Sequence, residues 1–354
     1  MEKKLLIINK EPFGRITDTY KWCEYLKDEY SITFLCLSPQ NGEKNKLENI
    51  NIKYIKSYKN KTLRGVLYIL TCLWHLLWFK GKIIIVYFDY CEIFKKFFPW
   101  KKMNLDIRTL SVTKDQHYND KYNMKLCKVC DLYDSVTIIS EDISEKMNIH
   151  NKNAYILPLG ADTISNFPKK YDSIKLLYVG TLYNRNIEQT IHGLNYFIKK
   201  YPDASIEYNI IGSSSGDELE KILELTKKFN IEQYVSCHGY IPYNKLKPFF
   251  NTSNIGVSYV PITDYYDNQP VTKTYEYILS GLYTIATRTK GNQKVITNQN
   301  GLLIDDNAED FFKALEYIYI NKNKIKEHEI RQSLANCTWK SIVNEILKPI
   351  LQKI

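Results

Sequence analysis

Lys273 and Glu276 stand three positions apart in the stretch Asp267-Asn-Gln-Pro-Val-Thr-Lys-Thr-Tyr-Glu-Tyr-Ile-Leu-Ser-Gly281. On a helix this spacing sets a cation beside a carboxylate. Pro270 suits the first helical turn, where its missing N–H costs nothing, and Gly281 suits the stop past the last turn. The free N–H groups of such a helix start, at Val271 and Thr272 after Pro270 with Lys273 above them, form a site for phosphate oxygens. Glu276, one turn further in, can accept two hydrogen bonds from a vicinal diol such as a ribose. Spacing alone leaves two readings open: an exposed ion pair on an ordinary helix, or one side of a site for a phosphorylated sugar. Tyr275, Ile278 and Leu279 are expected on the interior face.

Other polar residues fall where strands end. Leu105-Asp-Ile-Arg-Thr-Leu-Ser111 closes an apolar run with Asp106, Arg108 and Ser111. The planar fork of Arg108 can hold a phosphate or an acceptor; alternatively Asp106 and Arg108 pair with each other and fix the loop. Gly14 and Arg15, after the first strand, occupy the equivalent position, and in a parallel sheet ligands sit beyond the carboxyl ends of the strands. Cys127 and Cys130 form a lone CxxC without a second pair at metal spacing, so they read as one turn of a helix and no metal site is expected.

Strand-like and helix-like segments alternate along the whole chain, the pattern of doubly wound α/β units. Seven strands are expected between residues 4 and 157, and six more at 175–179, 206–211, 234–237, 255–258, 283–287 and 302–304. Turn residues in Leu157-Pro-Leu-Gly-Ala-Asp162 and Asn166-Phe-Pro-Lys-Lys-Tyr-Asp172 mark a boundary. The expected domains are 1–164 and 165–334, two Rossmann-like halves facing a central cleft. A terminal amphipathic segment, 335–354, is broken at Pro349.

The 354 residues exceed one typical core, and 44% hydrophobic with 25% charged residues are globular values that exclude disorder. The apolar run Leu5 to Ile8 is too short for a signal-peptide core, so a cytosolic location is expected. A net charge of +10 implies an anionic partner. Nucleic acid is not expected, because the lysines are spread through the whole chain and no recognition motif accompanies them. Residues 62–79 are the most apolar stretch, interrupted by Arg64, Thr71 and His75. They are either a buried sheet-packing helix or a helix whose outer face, with Trp74, Trp78 and Phe79, touches lipid. Phe94-Lys-Lys-Phe-Phe-Pro-Trp-Lys-Lys102 interleaves aromatics with lysines and is either a solvated basic loop or a contact for anionic headgroups at the inner membrane face.

The stretch 267–281 resembles the donor-site helix of retaining glycosyltransferases of family 4, which have the GT-B fold. In that family two acidic residues flank the helix start, the second binding the donor ribose; Glu276 fills the second place and Asn268 stands in the first. Gly180-Thr-Leu-Tyr-Asn-Arg-Asn-Ile-Glu188 is similar to the family's turn that holds the donor diphosphate, Arg185 being its basic residue and Thr181 standing where a second one is usual. The resemblance also implies that Gly14 faces the donor, and Gly212, at another strand-to-loop junction, falls on the same face. It implies that His238, Tyr240 and Ile241 line the base pocket, and that Asp106, Arg108 and Ser111 face the acceptor. It further implies that 335–354 straps back onto the first domain. Arg185, Lys273 and Asn268 are the expected catalytic residues. The implied activity is metal-independent transfer of a hexose from a nucleotide-diphosphate sugar to a glycan or lipid-linked glycan in cell-surface polysaccharide biosynthesis, with no cofactor. A nucleotide-sugar 2-epimerase of the same fold and a non-catalytic sugar-nucleotide binder are the alternatives.

Overall fold

The computed structural model describes residues 3–40, 44–110, 116–147, 149, 153–214, 216–267 and 272–354. The chain divides into two compact units, residues 1–160 with 339–354, and residues 161–338.

The first unit is built on a seven-stranded sheet. Its strands are β1 (Lys3–Ile8), β2 (Tyr30–Leu37), β3 (Ile50–Ile55), β4 (Lys82–Val86), β5 (Asn104–Ile107), β6 (Ser135–Ile138) and β7 (Ala154–Ile156). They run in the order 3-2-1-4-5-6-7, every pairing parallel. A parallel sheet covered on both faces needs continuous apolar strands, not alternating ones. Leu5-Leu6-Ile7-Ile8 meets this need: Leu5 and Ile7 face one core with Trp22, Phe34 and the terminal helical segment 339–353, while Leu6 and Ile8 face the other. The helices are α1 (Thr17–Leu26), α2 (Lys61–Trp78), α3 (Glu92–Phe97), α4 (Gln116–Cys130) and α5 (Glu141–Met147). Asn60 caps α2 by accepting from the amides of Thr62 and Leu63. Only Tyr68, Cys72 and Leu76 of α2 are fully buried, so it packs on the sheet by one narrow stripe.

The second unit repeats the plan with six parallel strands in the order 10-9-8-11-12-13. They are β8 (Ile174–Val179), β9 (Ile206–Ile211), β10 (Val235–Cys237), β11 (Ile255–Ser258), β12 (Tyr283–Thr287) and β13 (Gly301–Ile304). Leu176 and Tyr178 face the larger core; Leu177 and Val179 face a smaller one with Phe250 and Tyr277. Helices α6 (Glu188–Lys200), α7 (Glu218–Phe229), α8 (Lys247–Thr252), α9 (Asp264–Asp267) and α10 (Thr272–Leu279) follow in chain order. Both units are therefore the doubly wound α/β type that the alternating pattern predicts.

The stretch 94–102 is not wholly a solvated basic loop, since part of it packs into the fold. Lys95 is buried, its ammonium 2.6 Å from Asp134 and donating to the carbonyls of Pro99 and Lys101. Phe94 and Phe98 belong to the core, whereas Phe97 and Trp100 are exposed.

Candidate functional site

The turn between β8 and α6 sets the site's geometry in the second unit. Asn184 and Asn186 both have positive φ, at 55° and 52°, and hold Arg185 between them. Asparagine tolerates this left-handed backbone better than most residues. The guanidinium of Arg185 lies over the Tyr266 ring, 4.4 Å from its centroid. Gly180 is fixed by its neighbours: its N–H donates to Ile211, and a methyl added at Gly212 would sit 2.0 Å from the Gly180 carbonyl. Gly212 is thus a packing glycine that lets two strand-end loops touch, and its N–H donates to the Gly239 carbonyl at 2.9 Å.

Beyond the carboxyl ends of β8 and β11 lies an open pocket of about 170 Å³. Gly180, Thr181, Arg185, Tyr266, Thr272 and Lys273 line it, so residues 93 positions apart come to one place. Asn268, Pro270 and Val271, expected at the same helix start, lie outside the described residues, as does Ser111.

Glu276 differs from its expected role in one respect. It is 4% exposed, so the carboxylate is not an open acceptor on the helix surface. One oxygen is 2.5 Å from the Lys273 ammonium and the other 3.2 Å from the Tyr243 hydroxyl. That hydroxyl also lies 3.2 Å from the Asp162 carboxylate, and Lys273 sits over the Tyr243 ring at 5.1 Å. Burial pushes the Glu276 carboxyl above its ordinary value, against the opposing pull of Lys273 and Tyr243. Burial and the two carboxylates likewise push the Tyr243 phenol up. The interior face of α10 is also wider than expected. Tyr277 is fully buried and accepts from the Val179 amide at 2.8 Å, while Tyr275 is only half-buried. Tyr243, Asp162 and Tyr266 have no signal in the spacing of the α10 stretch, since each arrives from a separate loop or helix.

The loop after β10 is set apart from this pocket. His238 pairs through Nε2 with Asn209 at 2.7 Å and its ring packs on Phe249. Tyr240 is 73% exposed, and Ile241 packs on the smaller core. None of the three lines the Arg185 pocket.

In the first unit, Asp106 and Arg108 take the structural alternative. Asp106 is fully buried, and its oxygens accept from Nε and Nη2 of Arg108 at 2.8 and 2.9 Å and from Thr137 at 2.7 Å. Arg108 further donates to the Leu157 carbonyl, pairs with Asp18 at 3.2 Å and stacks over Trp22 at 4.6 Å. Four of its five donor hydrogens are thus engaged, which fixes the fork against Asp106, Asp18 and Leu157 and leaves one Nη2 hydrogen. Gly14, with φ of 82°, packs against Asn45, and its neighbour Arg15 pairs with Glu11. Arg15, Lys10, Arg64 and Tyr54 line an open pocket of about 660 Å³ beyond the first strands. Cys127 and Cys130 share α4, and burial pushes the Cys130 thiol up to about 12. Among the described residues no three His, Cys, Asp or Glu side chains gather in a metal-holding group.

Residues 173–321 match the family model described as "Glycosyl transferases group 1". No curated protein matches the sequence. Among solved structures, sucrose-phosphate synthase from Thermosynechococcus elongatus aligns with a TM-score of 0.68 at 15% identity over 99% of both chains. The lipopolysaccharide outer core galactosyltransferase WaaB aligns at 0.70 and 17% over 99% of this chain and 100% of that one. Anabaena Alr3699/HepE in complex with UDP aligns at 0.71 and 10% over 100% of both. At such identities the likeness shows the fold, which is GT-B, and the family model matches residues 173–321 only.

Proposed function

We propose, from a group 1 glycosyl transferase unit on a GT-B fold, that the protein moves a hexose from a nucleotide-diphosphate sugar, with retention and without a metal ion. The acceptor in this reading is a glycan or lipid-linked glycan in cell-surface polysaccharide biosynthesis. One observation carries it: Arg185, Lys273 and the Gly180 turn line a single pocket at the carboxyl ends of β8 and β11. Breaking the anomeric bond leaves a diphosphate that gains negative charge. Two cations gathered at that point stabilise the charge, Arg185 in place and Lys273 by turning from Glu276. The Arg185 fork is suited to two phosphate oxygens and is braced by Tyr266.

Lys273 is bonded to Glu276 in this structure. On donor binding it turns to the diphosphate, and the ribose hydroxyls replace it on the carboxylate while Tyr243 keeps the second oxygen. Retention follows if the departing phosphate takes the proton of the acceptor hydroxyl on the face that it leaves. The first unit supplies an acceptor pocket at Lys10, Arg15 and Arg64, in place of the engaged Asp106 and Arg108. HepE, which shares the fold, has been solved with UDP and with UDP-glucose, so UDP-sugars come first among donors to try.

The test is a panel of UDP- and GDP-sugars incubated with membrane glycolipid extract, with and without EDTA, followed by NMR of the product. Transfer with an α-configured linkage from an α-donor, undiminished by EDTA, is expected. An epimerised donor, or binding without transfer to any acceptor, contradicts the proposal.

A further inference from the structure

The outward side of α2 is apolar along its whole length. Leu63, Val66, Leu70, Trp74, Leu77 and Trp78 are all exposed, Trp74 at 63% and Trp78 at 69%, and their spacing of three and four sets them in one stripe. The helix thus presents six large apolar side chains to solvent, while Tyr68, Cys72 and Leu76, flanked by half-buried Ile69 and Leu73, face its own core. A stripe of this size marks a contact surface, because soluble chains keep such patches small.

A second segment extends it. The Lys101 ammonium donates to the Phe79 carbonyl at 2.8 Å, which ties the loop after α3 to the end of α2. That loop carries exposed Phe97 and Trp100. Burial and the neighbouring Lys80 push the Lys101 ammonium down.

Charge identifies the occupant. Residues 49–88 and 93–105 contain eleven of the chain's 49 Lys and Arg and none of its 39 Asp and Glu. Of the eleven, Lys95 is buried against Asp134, while Lys80, Lys96 and Lys102, next to the apolar side chains in sequence, are exposed. A second protein copy would meet its own positive charge here. A neutral apolar partner would leave the flanking lysines unused.

We propose that α2 and the loop 97–102 form a docking face that lies in the surface of an anionic phospholipid bilayer, the tryptophans in the headgroup region and Lys80, Lys96 and Lys102 on the lipid phosphates. Among the described residues no helix is long and apolar enough to cross a membrane, so the face lies on the bilayer and does not span it. Arg64, on the second turn of α2, also lines the basic pocket of the first unit, so docking brings that pocket to the headgroup layer. The proposal goes beyond sugar transfer and is tested without any donor.

The experiment is co-sedimentation of the whole protein with vesicles of phosphatidylcholine alone or of phosphatidylcholine and phosphatidylglycerol at three to one, at low and high salt. Tryptophan emission is recorded alongside. Three of the five tryptophans, Trp74, Trp78 and Trp100, are exposed on this face, while Trp22 and Trp339 are buried, so a blue shift on binding reports it directly. Binding to the anionic vesicles is expected, weakening with salt. The Trp74→Ser/Trp78→Ser variant should lose about tenfold or more in partitioning, and Lys80→Glu/Lys96→Glu/Lys102→Glu should lose the preference for phosphatidylglycerol. All five positions are exposed, and an unchanged melting temperature confirms that both variants are folded. No binding, equal binding by wild type and variants, or a vesicle-free dimer dispersed by Trp74→Ser/Trp78→Ser would overturn the proposal.

Discussion

The Glu276 carboxylate is buried where water cannot solvate it, and its charge is sustained by Lys273 and Tyr243. Removing the lysine strands a buried charge, so Lys273→Ala should cost about 1–3 kcal/mol of stability, the lower part of the usual range because the ammonium is itself partly exposed. Lys273→Ala/Glu276→Gln should recover most of that loss, a coupling that thermal denaturation of the four proteins would measure. The sign of the pH dependence follows from the raised pKa. The folded protein holds the Glu276 proton more tightly than the unfolded chain, for which the value is 4.5. Relative to Glu276→Gln, the wild type should therefore lose stability as pH rises from about 4.5 through the raised value. Melting curves for both between pH 4 and 8 check this, and a constant difference would contradict it. The adjacency of Lys273 and Glu276 was legible because an (i, i+3) helix spacing permits no other arrangement. The burial was not, because the group covering Glu276 is Tyr243, brought from 33 residues earlier by the fold alone. Arg108 is similar: its sequence neighbour Asp106 could be foreseen as a partner, but Asp18 and Trp22 could not.

Among the elements, the loops at strand ends carry the tightest constraints. At Gly212 any side chain meets the Gly180 carbonyl, so Gly212→Ala should destabilise by about 1–3 kcal/mol or more and distort the Arg185 turn. At Gly65, in α2, an added methyl meets nothing within 4 Å, and Gly65→Ala should stabilise by about 0.5–1 kcal/mol through helix propensity. Chemical denaturation of the two variants separates these cases, and equal effects would refute the packing argument. The strands were legible because each is a short apolar run ending in turn residues, such as Leu5 to Ile8 before Asn9. Helix faces were less so: α10 buries nearly everything from Thr274 onward, since the sheet lies under one side and Tyr243 over the other. In 94–102 the alternation of Phe and Lys could not tell buried Lys95 from exposed Lys96, because Asp134, 39 residues away, makes the difference.

At the scale of the whole molecule, the two units each close a core of their own, and the terminal segment belongs to the first. Trp339 is 3% exposed, packed against Gly160 and the core of α1. Trp339→Ala should cost about 3–5 kcal/mol and lower the unfolding transition of the first unit while leaving that of the second, which calorimetry resolves as a split endotherm. The α/β class was legible from composition and alternation, since parallel strands buried on both faces cannot be mistaken for amphipathic ones. The most direct measurement of the central assignment is calorimetric titration of UDP- and GDP-sugars into the wild type and Arg185→Ala. At least one nucleotide sugar should bind the wild type, with affinity lower by about tenfold or more in the variant, from loss of a charged bidentate contact. Equal affinity in the two proteins, or no nucleotide sugar bound by either, would contradict a diphosphate site at Arg185 and Lys273.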